Sequence, residues 1–238
     1  MQVPSEAQLL ALWEQGLRRH PVDRALLLCA WARPEVPGPR LAELPLGALN
    51  AALLRLREAC FGARIDCYVD CPRCGERLGL ALDARELLAG AVESDSPGDL
   101  ELAGLRFRVP CSRDLAAVAI EPALDAEATA HRLLELCCLE AHNLPSGPLV
   151  ELLAEVETRL AALDPAADIS LALGCDSCGH GWEADFDIGA LLWEEIEARA
   201  RALLAEIHGL ARAYGWTEPE ILALSPERRA AYLELAGA

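Results

Sequence analysis

The sequence predicts a mainly helical α+β fold. Two like β-hairpins, far apart in the chain, enclose an inserted hairpin-plus-helices segment and are flanked by N- and C-terminal helices. Three observations predict it. Leu and Ala dominate a composition that is 53% apolar but only 5% aromatic, which favours helices over a β-sandwich. Apolar residues keep helical spacing near both ends of the chain and alternate in short stretches between them. Finally, CPRCGERLGLALDARELL (residues 71–88) returns as CDSCGHGWEADFDIGALL (residues 175–192). Overlaid from their first cysteine, Cys71, Cys74, Gly75, Asp83, Leu87 and Leu88 fall on Cys175, Cys178, Gly179, Asp187, Leu191 and Leu192. Leu78, Leu80 and Leu82 match Trp182, Ala184 and Phe186, so the chain carries an internal repeat.

Taken in order, the elements group as an N-terminal helical segment over residues 1–62, a hairpin core over 63–192 with residues 90–165 inserted, and a C-terminal helical part over 188–238. Ser5 with Gln8 three residues on opens a helix to about Leu17. Pro21, at a first helical position, begins a second to about Arg33. The run PEVPGP (34–39) cannot continue it. Helical spacing resumes from about Leu46 to Phe61 and stops at Gly62. Ile65, Cys67, Val69 and Cys71 then alternate on one face, as Leu78, Leu80 and Leu82 do after the turn. Asp83 and Glu86 pair as a cap for the helix that starts ARELL. Residues 90–99 read as a loop, and DLELAGLRFRVP as a second hairpin with Leu105, Phe107 and Val109 alternating. Ser112 or Asp114 caps a short helix, and helices near 126–141 and 147–163 follow. In the second repeat Ile169, Leu171, Leu173 and Cys175 share a face, answered by Trp182, Ala184, Phe186 and Ile188. A long helix from about Ile188 to Tyr214 carries Leu192, Ile196, Leu203, Ile207 and Leu210 on one side. The tail is two short helices, one opened by a Thr217–Glu220 capping box and one by Ser225–Pro226.

Charge narrows the function classes. With 21 basic against 38 acidic residues the net charge is −17, a surface that phosphate backbones would repel. No nucleic acid is expected as a partner. The N-terminal MQVPSEAQLLALWEQ lacks the basic and apolar regions of a secretory signal, and no run of about 18 apolar residues spans a membrane. Ten cysteines in such a chain point to reduced thiols and metal, hence to the cytoplasm.

Cys-x2-Cys at a tight turn supplies two ligands for tetrahedral zinc, and the glycine after the second cysteine lets the backbone reach φ > 0. Two such knuckles, each between alternating strands, predict a split zinc ribbon. Cys71, Cys74, Cys175 and Cys178 would meet around one structural zinc, although the usual gap of roughly 15–20 residues between the pairs is absent. Other readings stand beside it: a thioredoxin-like pair, which would place a helix rather than Gly and a strand after the CxxC; knuckles that meet between subunits; and metal-free turns. His180 and Cys67 have no counterpart in the other repeat and are left out of the ligand set. Cys137 and Cys138 read as buried thiols. Cys111 precedes a helix start, but no histidine is placed to serve it. His20, His131, His142 and His208 lack metal or acid/base spacing, and no nucleotide, hydrolase or metalloprotease motif occurs.

The two CxxCG hairpins around an insertion, followed by EARARALLAEIHGLARAYGWTEPEILALSPERRAAYLEL, resemble baseplate proteins of contractile phage tails and contractile injection systems, related to the baseplate hub assembly chaperones of T-even phages. The likeness is sharpest in residues 189–236 and the knuckles, and LRFRVPCSRDLAAV resembles the family's central strand-to-helix segment. The resemblance implies a non-enzymatic role in baseplate assembly through contacts with baseplate or hub proteins, as chaperone or as component. The tail is the expected contact, because Trp216, Ile221, Leu224, Tyr232 and Leu233 form a large apolar set for so short a segment. A zinc-ribbon nucleic-acid or regulatory module and a metalloenzyme are the competing functions.

Overall fold

The structure, a computed structural model, describes residues 3–89, 95, 97–121, 125–140 and 150–237. It is α+β and mainly helical. In chain order the elements are α1 (Glu6–Gly16), α2 (Pro21–Ala32), α3 (Gly38–Leu41), α4 (Leu46–Phe61), β1 (Arg64–Asp70), β2 (Arg77–Asp83), α5 (Ala84–Ala89), β3 (Leu100–Leu102), β4 (Leu105–Phe107), α6 (Ser112–Ala119), α7 (Ala126–Cys137), α8 (Val150–Leu163), β5 (Ser170–Gly174), β6 (Gly181–Asp185), α9 (Ile188–Tyr214), α10 (Glu218–Leu222) and α11 (Pro226–Leu235). The strands form three separate antiparallel hairpins, β1–β2, β3–β4 and β5–β6. None of the described helices is long and apolar enough to cross a membrane.

Local chemistry sets most of these boundaries. Ser5 and Gln8 make the reciprocal capping box of α1, and Asp187 Oδ1 accepts from Ala190 N at 3.0 Å to start α9. Asp83 Oδ1 accepts from Arg85 N at 2.8 Å where α5 begins. The short helix α6 differs from expectation. Its N-cap is Cys111, not Ser112 or Asp114, and Asp114 sits three residues inside, accepting the Cys111 N–H at 2.9 Å. Asp114 also receives both arms of the Arg108 guanidinium, at 2.6 and 2.7 Å, so the carboxylate is fixed by a partner from before the helix. The end of α7 differs too. The helix stops at Cys137, because Cys138 turns extended and bridges to Phe107 of β4. Residues 147–149 of the expected next helix lie outside the described residues, and α8 is described from Val150.

Two cores result. The larger gathers Leu9, Leu28, Leu53, Ile65, Leu192 and Leu203, among others, from α1, α2, α4, β1 and α9. The smaller, around Phe107, Leu134, Val156 and Leu160, belongs to the inserted segment. The insertion is fastened to the start of α4 at two places. Pro45 and Cys111 form an isolated β-bridge, and Leu46 N donates to Pro110 O at 3.2 Å. At the far end Asp164, only 4% exposed, accepts from Gly47 N at 3.0 Å. Asn50 Nδ2 donates to Ala166 O at 2.9 Å just beyond. Gly47 is a close approach: a Cβ there would lie 1.9 Å from Asp164 Oδ1.

Charged side chains then tie the long-range contacts. Arg57 of α4, 4% exposed, grips both Glu195 oxygens of α9 at 2.7 and 3.0 Å and donates to Gly62 O at 2.7 Å. The tail is held the same way. Arg229 of α11 has no exposed surface, and it binds Glu206 of α9 at 2.8 Å, Glu6 of α1 at 2.6 Å and Leu224 O at 2.8 Å. Arg199 pairs with the same two carboxylates. Removing this buried cation leaves Glu6 and Glu206 with Arg199 alone, strands the Leu224 carbonyl and empties the space the side chain fills, a loss at the lower end of the range of about 3–5 kcal/mol typical of broken buried pairs. Arg229→Ala is therefore expected to lower the urea-unfolding free energy by about 3 kcal/mol. A loss below about 1 kcal/mol would mean that the tail is not fastened through this side chain.

Candidate metal centre

Each knuckle grows from its hairpin by the same steps. In β1–β2 the register runs from Arg64 opposite Asp83 to Asp70 opposite Arg77, so the chain leaves the ladder at Cys71 and re-enters after Glu76. Cys71 N then donates to Glu76 O at 2.8 Å, and Gly75 N donates back to Cys71 O at 2.9 Å. The second knuckle repeats this, with Cys175 N to His180 O at 2.9 Å and Gly179 N to Cys175 O at 2.8 Å. Closing so tightly needs left-handed backbone, and Gly75 (φ 74°) and Gly179 (φ 68°) supply it without a Cβ clash.

The hairpins also share their sidedness. Ile65, Cys67 and Val69 are sheltered and their neighbours exposed; Leu171 and Leu173, then Trp182 and Ala184, follow the same alternation. That face carries Cys67, Leu82, Ile169 and Phe186 onto the main core. The sequence distances are 107 and 101 residues, yet Cys71 Sγ lies 3.7 Å from Cys178 Sγ and Cys74 Sγ 3.6 Å from Cys175 Sγ. All four sulfurs fall within 4.8 Å of one another. The four cysteines expected as ligands are thus brought together, within a single chain. Cys67 and His180 are not in the group, and His180 instead stacks on Trp182 with centroids 5.8 Å apart.

The spacing fits a tetrahedral thiophilic ion. With metal–sulfur bonds of about 2.3 Å, the edge of a tetrahedron is about 3.8 Å. Covalent sulfurs would stand at about 2.0 Å, and all ten cysteines are free. Electrostatics agree with the geometry. Burial pushes the Cys71 thiol up, but the amides of Cys74 and Arg73 and the neighbouring thiols outweigh it and bring it down to about 7. Cys74 is favoured as thiolate by the Glu76 amide, but sharing with the thiols of Cys178, Cys175 and Cys71, together with burial, takes it up to about 12. Four sulfurs this close ionise together only around a cation. Cys71 and Cys175 are buried, Cys74 is exposed and Cys178 half-buried, so each knuckle offers one inner and one outer ligand.

Among the described residues Arg73 is the one knuckle cation outside an ion pair. Arg77 is paired with Asp70 at 3.0 Å and Arg64 with Asp66 at 2.8 Å. The remaining cysteines separate from the site. Burial pushes the Cys137 thiol up to about 12 and that of Cys29 up to about 11. Burial, with the hydrogen bond that Cys111 Sγ gives to Asp114 Oδ2 at 3.1 Å, raises the Cys111 thiol as well. That is the wrong direction for a nucleophile. The expected partner set in the tail divides. Ile221 is completely buried in the chain's own core, where a partner cannot reach it, and Trp216, Tyr232 and Leu233 pack half-buried against that core. Leu224 is half-buried too. Sequence reasoning missed Arg57, Asp164 and Arg229, because a buried charge is recognisable only by a partner far away in the chain.

Gly75→Ala and Gly179→Ala each force a side chain into left-handed backbone, at about 1–2 kcal/mol. Both are expected to lower the urea midpoint. Gly174→Ala, with open space around its Cβ and no positive φ, is expected to leave it within about 0.5 kcal/mol of the parent. No family model, curated protein or solved structure matches the chain, so the role of the four cysteines rests on their own geometry.

Proposed function

We propose that the chain is a non-enzymatic assembly protein in which Cys71, Cys74, Cys175 and Cys178 hold one structural zinc and so join the two knuckles into a split zinc ribbon. The observation that carries this reading is the approach of the four sulfurs to within 4.8 Å across a hundred residues of chain. Zinc would supply binding energy to the fold rather than chemistry, since four thiolates leave no open position for a water or substrate. Ten unbridged thiols suit a reducing compartment, and we place the protein in the cytoplasm.

The partner class comes from the resemblance of residues 189–236 and the knuckles to contractile-tail baseplate proteins and hub assembly chaperones. On this reading the half-exposed Trp216, Leu224, Tyr232 and Leu233 of the tail form part of a surface for a baseplate or hub protein. Trp216 and Tyr232 stand edge to face at 4.9 Å, an aromatic pair of the kind that anchors interfaces.

Two measurements test the two halves separately. Purified protein is expected to carry about one zinc per chain, and Cys74→Ser or Cys178→Ser to lower both zinc content and melting temperature. Full zinc occupancy in Cys178→Ser would overturn the ribbon. For the partner, tagged protein expressed beside the tail genes of its own genome is expected to retain a baseplate or hub protein. Leu224→Ser with Tyr232→Ala, at unchanged zinc content, is expected to release it. Retention by the double variant would remove the tail from the interface.

A further inference from the structure

A groove of about 460 Å³ opens where α2, α4, α6, the base of β5–β6 and the first turns of α9 meet. Its walls include Val22, Leu46, Leu115, Ile169 and Phe186, all half-buried, over a floor of buried Leu49 and Trp193. Three exposed carboxylates, Asp168, Asp185 and Glu194, stand around it, and none has an ion-pair or hydrogen-bond partner among the described residues. Among the described residues the cation in the lining is Arg24, and its partners are neutral groups rather than these carboxylates. Its Nε donates to Gly16 O at 3.0 Å and its Nη2 to Leu17 O at 3.0 Å, and the guanidinium lies 4.7 Å over the Trp193 ring. Unpaired acids are common on this surface, with 38 acidic against 21 basic residues; what distinguishes these three is that they border an apolar trough, where one segment can meet an apolar wall and three negative charges together.

We propose that this groove receives a basic amphipathic segment of a partner protein, with apolar side chains seated on Val22, Leu115 and Phe186 and lysine or arginine meeting Asp168, Asp185 and Glu194. Charge complementarity selects the occupant. An acidic segment would be repelled by the three carboxylates and a neutral one would gain the apolar contact alone, whereas a basic one gains both. The chain itself is a poor source, because residues 90–94, 122–124 and 141–149 contain no basic residue except His142. The inference rests on the interaction reading of the protein. It does not depend on the zinc or on the tail, which lies at other residues.

The composition provides a direct test. All 21 basic residues are arginine, so the chain offers no lysine amine, and a carbodiimide can couple its carboxylates only to an added lysine or to the N-terminus. The probe is a synthetic helical-period Leu/Lys peptide, with a Leu/Glu counterpart as control, added to the full-length zinc-loaded protein. Peptide mapping is expected to place the lysine cross-links mainly on Asp168, Asp185 and Glu194. Reversal of these three to Lys is expected to weaken peptide binding at least about tenfold, about 1.4 kcal/mol. Reversal of the exposed Glu101, Glu157 and Asp176, which changes net charge equally, is expected to weaken it far less. Leu115→Ser, which alters no charge, is expected to weaken it also. Cross-links spread over the acidic surface in proportion to exposure, equal losses in the two triple variants, or no effect of Leu115→Ser would each overturn the groove. Loss of tail-protein retention in Leu224→Ser/Tyr232→Ala with unchanged groove cross-links would leave it standing.

Discussion

Everything in this fold serves one constraint: two cysteine pairs a hundred residues apart must arrive within a few ångströms of each other. A single Cys-x2-Cys turn is local and costs little to form. Bringing two together requires loop closure over the insertion, and a site of four thiols tolerates errors of only a few tenths of an ångström. The chain meets this by rooting each hairpin in a rigid helix. Hairpin β1–β2 leaves the end of α4, hairpin β5–β6 runs into the start of α9, and Arg57 binds Glu195 of α9 together with the carbonyls of Gly62 and Arg64 at the root of β1. Arg57 is 4% exposed, so the four hydrogen bonds of its guanidinium lie in a sheltered place and tie the root of β1 to α9, the helix that follows β6.

The insertion is compatible with this because it has its own core and is anchored on the start of α4. Phe107, Leu134, Val156 and Leu160 pack among themselves, so the body need not lend apolar surface to support them. The middle of the insertion and its return are both registered on one helix start. Leu46 N binds Pro110 O of the segment after β4, and Gly47 N binds Asp164 on the incoming side, one residue further along α4. Burial raises the Asp164 carboxyl above its ordinary range despite that bond, so the contact is held at an electrostatic cost and lends its value to position rather than to strength.

How much of this was legible beforehand follows from the range of each interaction. The repeat, the alternating faces of the hairpins, the capping boxes at Ser5 and Thr217 and the apolar stripe of α9 are local patterns, and they stand in the structure near where the sequence placed them. The gathering of Cys71, Cys74, Cys175 and Cys178 was legible because a repeat states a distant relation in local terms. The cap of α6 was misplaced by one to three residues, since a cysteine is a weak signal and the deciding partner, Arg108, lies outside the helix. The end of α7 was set by a bridge from Cys138 to β4, which no periodicity reports. The tail shows the same limit more sharply. Its apolar excess was visible, but whether that excess faces outward depends on Arg229, whose partners Glu6 and Glu206 come from α1 and α9.

The use of charge connects fold to surface. A chain of 38 acidic and 21 basic residues, all of the latter arginine, cannot pair every carboxylate, and the structure does not distribute the shortage evenly. Arginines concentrate where geometry must be fixed: Arg57 at the hairpin root, Arg108 at α6, and Arg199 and Arg229 at the tail. A planar guanidinium meets a carboxylate with two parallel bonds and so specifies orientation, which an ammonium does not. Acids left over lie where no internal geometry needs them, as around the groove between α2, α6 and α9. An exposed carboxylate costs nothing unpaired, but one beside an apolar wall adds a charge contact to any cationic segment that covers that wall. Where the surplus of negative charge borders half-buried apolar side chains, as at the proposed groove, it would select among partners by sign, favouring a basic segment and rejecting an acidic one.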